Sequence, residues 1–303
     1  MARAIRYERL STERPNRASA GLDRLSARSI ATLMNREDAR MVRAVARQAG
    51  AIGAAVELIV GALRARGRLI FVGAGTSGRL GVLEAAECPP TFGTPPRLVQ
   101  AIMAGGRSSV FRSREGAEDD RRAAVRAIRR RVRTGDVVVG VSASGVTPFV
   151  RDALVAARRL GARTVIVACN PDLARLPRAD VVIAPAPGPE VLAGSTRLKA
   201  GTATKLVLNT LTTASMARLG KVYGNRMIDL QPRSRKLRER AVRLVTDLGG
   251  VRAPAARRLL QAAGDRVPVA IVMARRRVGA PAAARALRAA GSLRRVLEQP
   301  RLG

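Results

Sequence analysis

Residues 68–80 read Arg-Leu-Ile-Phe-Val-Gly-Ala-Gly-Thr-Ser-Gly-Arg-Leu. The apolar, partly β-branched run from Leu69 to Val72 ends on glycine, the pattern of a strand buried on both faces. A Gly-rich turn then hands over to a helical period. The alternation recurs downstream, with strands at 97–104 (RLVQAIMA), 136–141 (DVVVGV), 164–169 and 181–184, and helices at 118–133 and 147–160. Strands separated by helices of this length predict an α/β fold, a parallel sheet with helices on both faces. Upstream, apolar residues at helical spacing between Ser29 and Arg66 predict two or three helices, and polar residues 1–25 predict an arm that wraps the body or a partner subunit. Downstream, Ser195 to Leu219 reads as one long helix suited to face a dimer partner. From Ala241 to Leu302, Ala- and Arg-rich segments broken at Gly249-Gly250, Gly264, Pro268, Gly279 and Gly291 predict a small helical subdomain. The expected organisation is an N-terminal arm with helices over 1–50, a sheet-bearing catalytic domain over 51–231, and the C-terminal helical subdomain over 232–303.

The chain has 303 residues, 47% of them hydrophobic, which is enough to build a substantial core. Lys plus Arg number 56 against 22 Asp plus Glu, a net charge of +34. Such an excess suggests a polyanion partner, but its distribution argues against one. From Pro232 onward there are 18 basic and 4 acidic residues, whereas Arg68 to Val110 has 4 and 2. The excess is peripheral, and 52 of the 56 cations are arginine, consistent with a bias towards Arg on solvated helix faces. With no Trp and six Phe plus Tyr residues, stacking platforms for single strands are scarce, so no specific nucleic-acid partner is expected. Histidine is absent, which excludes a Ser-His-Asp triad, a His base and His-based zinc sites. Catalysis falls to carboxylates. Cys88 and Cys169 form no disulfide framework, no metal is expected, and a reducing compartment is the default. No run approaches about 18 apolar residues and the start lacks a secretion signal, so a soluble cytoplasmic protein without a membrane partner is expected.

Ligands of an open parallel sheet bind beyond the carboxyl ends of its strands. Two loops in such places are rich in Gly, Ser and Thr: Gly73-Ala-Gly-Thr-Ser-Gly-Arg-Leu80 and Ser142-Ala-Ser-Gly-Val-Thr147. Glycines let backbone approach an anion, hydroxyls donate to it, and the following helix offers its N-terminus. Neither loop matches a P-loop. Gly73, Gly75 and Gly78 satisfy G-x-G-x-x-G, yet a dinucleotide site adds an acidic residue about 20 positions on, where this chain has Ala104-Gly-Gly106. Two carboxylates stand out. Glu87 precedes Pro89-Pro90, a pair expected to end its helix, and Glu118 lies in an acidic run, 115–120, expected to open the next. Ordinary surface ion pairing for the first, and helix-dipole complementarity for the second, remain open alternatives. Three of the four lysines fall between Lys199 and Lys221, where a compact ammonium is a candidate requirement.

Several longer motifs in order carry a resemblance. TERPNRASAGLDRLS at 12–26, GAGTSGRLGVLEAAECPPTFG at 73–93, AGG at 104–106, EGAEDD at 115–120, SASGVTPFV at 142–150, CNP at 169–171 and GSTRLKAGTATKLVLN at 194–209 closely resemble the N-acetylmuramic acid 6-phosphate etherases, over about residues 10–230. The resemblance implies a phosphosugar-isomerase (SIS) type of domain over 51–231 and a sugar 6-phosphate substrate whose D-lactyl ether is eliminated and replaced by water. It implies no cofactor, a homodimer and a cytoplasmic setting. By the same resemblance Glu87 matches the proton donor and Glu118 the second carboxylate, taken as the base. Ser142, Ser144 and Thr147 would hold the phosphate, Gly75, Thr76 and Ser77 would contact sugar or phosphate, and Lys199 is a further candidate contact. The family's usual L-D-A-S-E reads here Leu83-Glu-Ala-Ala-Glu87, one hydroxyl fewer before Glu87. A related domain serves the glucokinase regulatory protein as a binding module, so phosphosugar binding without catalysis, and aldose-ketose isomerisation, stand as alternatives.

Overall fold

A computed structural model describes residues 10–299 apart from 171, 173, 175 and 233. Residues 1–9 of the expected arm, Pro171 of the CNP motif and 300–303 lie outside the described residues. Five parallel strands, β1 (Leu69–Gly73), β2 (Val99–Met103), β3 (Val137–Val141), β4 (Arg163–Val167) and β5 (Val181–Ile183), form one sheet in the order β2-β1-β3-β4-β5. Leu69 pairs with Val99 on one side and with Val137 on the other, so β1 and β3 are central and wholly buried. That is why their sequences are continuous apolar runs and do not alternate.

Ahead of the sheet lie α1 (Ala27–Ala46) and α2 (Ala49–Arg64), with Ser26 Oγ capping α1 by accepting from the Ser29 N–H. Helices α3 (Gly75–Phe92), α4 (Arg121–Arg131), α5 (Pro148–Arg159) and α6 (Lys199–Arg218) follow. Side chains of Ile70, Val72, Val138 and Ile166 pack with Ala124 and Ile128 of α4 and with Phe149, Ala153 and Leu154 of α5. Phe71 faces the other way and meets α3 at Gly81, where a Cβ would lie 2.8 Å from the Phe71 Cβ. Helix α2 packs on β1, β3 and β5. Both faces of the sheet are therefore covered, as the alternating pattern predicts.

The chain divides into two compact units, one taking in residues through Ala86 together with Arg97–Thr212, the other Glu87–Pro96 together with Thr213 onward. The second unit holds a short hairpin, β6 (Val222–Tyr223) and β7 (Arg226–Met227), and helices α7 (Arg235–Gly249), α8 (Ala253–Ala262), α9 (Val267–Arg276), α10 (Ala280–Ala290) and α11 (Leu293–Glu298). Its core centres on α9, whose Val267 and Val269 to Val272 are all buried and against which α7, α8, α10 and α11 pack. Among the described residues no single helix is long and apolar enough to cross a membrane.

Two local expectations need correction. Pro89 and Pro90 do not end α3, which runs on to Phe92. Each proline forfeits its own N–H bond, but its fixed φ suits a helix. The end comes at Gly93, whose φ of +63° breaks the helix while its N–H donates to the Pro89 carbonyl at 3.0 Å. Nor does Glu118 open α4. Gly116, at φ +72°, turns Ala117–Asp119 into a separate 3-10 turn, and Asp120 caps α4 by accepting from the Ala123 N–H at 2.8 Å.

A buried polar cluster ties the start of the chain to α6. Glu37 and Lys199, each 2% exposed, pair at 2.9 Å. The Lys199 ammonium also donates to the Pro189 carbonyl at 3.0 Å, Asn16 donates to Glu37 at 2.9 Å, and Arg40 closes on Glu37 at 2.6 Å. Burial pushes the Glu37 carboxyl up, but the Lys199 hydrogen bond, Asn16 and the two cations outweigh it and hold it below the ordinary range.

Two stability measurements follow. Gly93→Ala places a Cβ 2.4 Å from the Asp229 carbonyl at a positive φ, and chemical denaturation is expected to lose about 1–3 kcal/mol; an unchanged midpoint would contradict this helix end. Lys199→Met leaves Glu37 buried with Asn16 and the largely exposed Arg40, without its buried cation, at an expected cost of about 3–5 kcal/mol at neutral pH. A lowered folded-state pKa stabilises above the unfolded value and is lost as pH falls, whereas the variant's Glu37 gains relief on protonation. The deficit should therefore narrow as pH falls below about 4.5, the ordinary glutamate value. A pH-independent deficit would count against the pairing.

Candidate active site

The chain runs from β1 outward to β2, then returns past β1 to β3, so the strand order reverses between β1 and β3. Loops leaving the carboxyl ends of two such strands diverge to opposite sides and leave a crevice. Both Gly-rich loops start here. After β1, a Cβ on Gly73 would lie 2.6 Å from the Gly78 nitrogen, and one on Gly78 would lie 2.6 Å from the Gly73 carbonyl oxygen. Only two glycines permit this approach, which seats the first turn of α3 directly on the strand end. Thr76 and Ser77 in that turn are half-buried.

After β3, Ser142 is 2% exposed, and its Oγ lies 2.8 Å from Thr147 Oγ1 and 3.5 Å from Ser144 Oγ. The Gly145 N–H donates to Ser142 Oγ at 3.1 Å and the Val146 N–H to Ser144 Oγ at 3.3 Å. A hydroxyl that accepts a backbone N–H keeps its own hydrogen to give, so Ser144, half-buried, is set to donate outward. Asn170 Nδ2 holds the loop by donating to the Ser144 carbonyl at 3.2 Å. Thr147 precedes α5 but makes no side-chain capping bond, leaving the helix's first amides for another acceptor. The three hydroxyls expected to share a site do cluster.

Glu118 lines a cavity of about 200 Å³ with Gly75 of the first loop and with Arg79, Ser109, Ser113 and Arg114. Arg79 fastens the wall: Nε donates to the Val110 carbonyl at 2.8 Å, and Nη2 to the Ser109 carbonyl at 3.0 Å and Ser113 Oγ at 3.3 Å. Ser109, 3% exposed, has an Oγ with no hydrogen-bond partner among the described residues. Neither Arg79 nor Ser109 is singled out by sequence reasoning. Arg79 carried a signal, as the first cation after the glycines, whereas Ser109 sits in an unpatterned stretch.

Other expected residues lie elsewhere. Glu87 is exposed on α3, in the segment belonging to the second unit. Lys199 is buried, with its ammonium committed to Glu37 and Pro189. Beside it Glu190, fully buried, accepts from the Lys199 and Ala200 N–H groups at 2.8 and 2.9 Å and so fills the start of α6. Burial holds its carboxyl above the ordinary range despite those amides. Cys169 abuts the second loop, its N–H donating to the Ala143 carbonyl at 2.8 Å, but burial pushes its thiol up to about 12. It is no nucleophile at neutral pH.

Comparison with known proteins agrees with this architecture. The profile of the glucokinase regulatory protein N-terminal SIS domain matches residues 51–158. A Symbiobacterium thermophilum protein named N-acetylmuramic acid 6-phosphate etherase is 53% identical over 268 residues, 88% of this chain and 89% of its own. The protein of the same name from Gloeobacter violaceus is 55% identical over 265 residues, 87% of each chain. Among solved structures, a phosphoheptose isomerase from Francisella tularensis superposes with a TM-score of 0.51 at 14% identity, covering 64% of this chain and 99% of that one. That likeness speaks to the fold alone. With about half of all positions identical along nearly the whole of both chains, this chain belongs to the N-acetylmuramic acid 6-phosphate etherase family.

Proposed function

We propose that this chain cleaves the D-lactyl ether of N-acetylmuramic acid 6-phosphate, giving N-acetylglucosamine 6-phosphate and D-lactate. The observation that carries the reading is the pairing, at one strand-order reversal, of a hydroxyl cradle at Ser142, Ser144 and Thr147 with a carboxylate-bearing cavity at the neighbouring loop. The cradle suits a phosphate monoester, because hydroxyls, amides and a helix N-terminus converge there. The adjoining cavity then faces the sugar.

The chemistry follows from the open-chain sugar, whose C1 carbonyl acidifies the proton on C2. Glu118 removes that proton. Glu87, which does not line the Glu118 cavity, is assigned by family membership alone as the acid that gives a proton to the C3 ether oxygen as its bond to C3 breaks, so lactate leaves and a C2–C3 double bond forms. Water then adds its oxygen to C3 and C2 regains a proton, which balances atoms without an oxidant or cofactor. Gly75, Thr76 and Ser77 hold the sugar beside Glu118. Lys199 acts indirectly, by fixing the start of α6. Functionally the chain comprises an N-terminal segment over 1–50, a phosphosugar-binding catalytic domain over 51–231 and a helical subdomain over 232–303. It works in the cytoplasm as a homodimer whose second subunit completes the site, in the recycling of cell-wall amino sugars.

Incubation with N-acetylmuramic acid 6-phosphate should release D-lactate, and no release from folded protein would refute the reading. Glu118→Gln should lower kcat by about 10²- to 10⁴-fold while the product sugar phosphate still binds. A ketose phosphate product would point instead to isomerisation.

A further inference from the structure

Whole-ligand pockets begin at roughly 300 Å³, so the cavity of about 200 Å³ at Glu118 suits one end of a substrate and not all of it. Its wall is cationic. Arg79 spends Nε and Nη2 on the 109–113 segment, which leaves Nη1 without a partner among the described residues. The Arg114 guanidinium makes no hydrogen bond or ion pair among the described residues, and Arg114 also lines a larger adjoining groove of about 790 Å³. Ser113 and Ser109 share the lining, and the Ser109 hydroxyl is buried with no hydrogen-bond partner among the described residues. Glu115 and Glu118 are the acidic members of the lining.

Arg79, fixed by its loop bonds, and the uncommitted Arg114 place unspent guanidinium donors beside Glu118, a setting that suits an anionic guest. The phosphate already has the cradle at Ser142, which contains no cation. The substrate of the proposed reaction carries one other anion, the carboxylate of the lactyl group on C3, adjacent to the carbon that loses its proton. Unaided, that carboxylate would approach Glu118 as a like charge and be repelled. We propose that Arg79 and Arg114 form a carboxylate subsite that binds the lactyl end of the substrate, an inference that rests on the etherase reading. The Arg114 guanidinium fork matches a carboxylate in plane and spacing, and Arg79 adds the hydrogens of its uncommitted Nη1. The subsite distinguishes the ether from the product sugar, which has only a hydroxyl at C3, and it holds the departing lactate.

The test compares N-acetylmuramic acid 6-phosphate with its lactyl carboxamide, an uncharged isostere, in the full-length wild type, Arg114→Ala, Arg79→Lys and the double variant. Arg114→Ala disturbs no bond of the fold, so it remains informative if Arg79→Lys folds poorly. The wild type should prefer the acid in kcat/KM by about 10- to 100-fold, the scale of one charged hydrogen bond. Each single change should cut that preference at least about fivefold, and the double variant should lose it, while inhibition by N-acetylglucosamine 6-phosphate persists. If Arg79 merely fastens its loop, both substrates slow equally and the preference stays, which overturns the proposal. Should the wild type release no lactate at all, the etherase reading fails, and the same acid-to-amide ratio taken from dissociation constants decides the subsite on its own.

Discussion

A contact between two backbones, Gly73 at the end of β1 and Gly78 in the first turn of α3, is the constraint on which the site depends. Each would-be Cβ falls 2.6 Å from the other segment's main chain, closer than real Cβ contacts come. Because nothing but hydrogen stands between them, α3 begins on the strand itself, and its first amides and hydroxyls face the crevice where the strand order reverses. Displacing α3 would part Gly75 from the cavity it shares with Glu118.

From that placement the electrostatics follow. The loop after β3 presents hydroxyls and helix amides, neutral dipoles that need no ammonium to hold a dianion. The formal charge of +34 acts on an anionic substrate at long range. In the core of the first unit the buried charges are paired. Lys199 answers Glu37, and Glu190 answers the amides that open α6. These buried partners hold the framework.

Much of the fold is legible in the chain because its signals are local. Leu69 to Val72 and Val137 to Val139 are uninterrupted apolar runs, and nothing but a doubly covered strand suits them. The two loops are equally plain, since glycine and hydroxyl residues at a strand end have few other uses. Lys199 misleads because its partner, Glu37, is 162 residues away, so no pattern near Lys199 reveals that its ammonium is already spent. Pro89 and Pro90 mislead for a different reason: proline signals a helix end on average, but a single glycine three residues later, pressed on the Asp229 carbonyl, sets this one. Ser109 carries no sequence signal at all, because its interest arises from what fails to surround it.

The central claim is chemical: carboxylates remove the C2 proton, expel lactate and let water return at C3. Turnover in water enriched in both deuterium and oxygen-18 tests it most directly. The account predicts N-acetylglucosamine 6-phosphate with deuterium on C2 and oxygen-18 on C3, and D-lactate whose hydroxyl oxygen is unlabelled. Oxygen-18 in the lactate hydroxyl with hydrogen retained on C2 would place the attack on the lactyl carbon and contradict it.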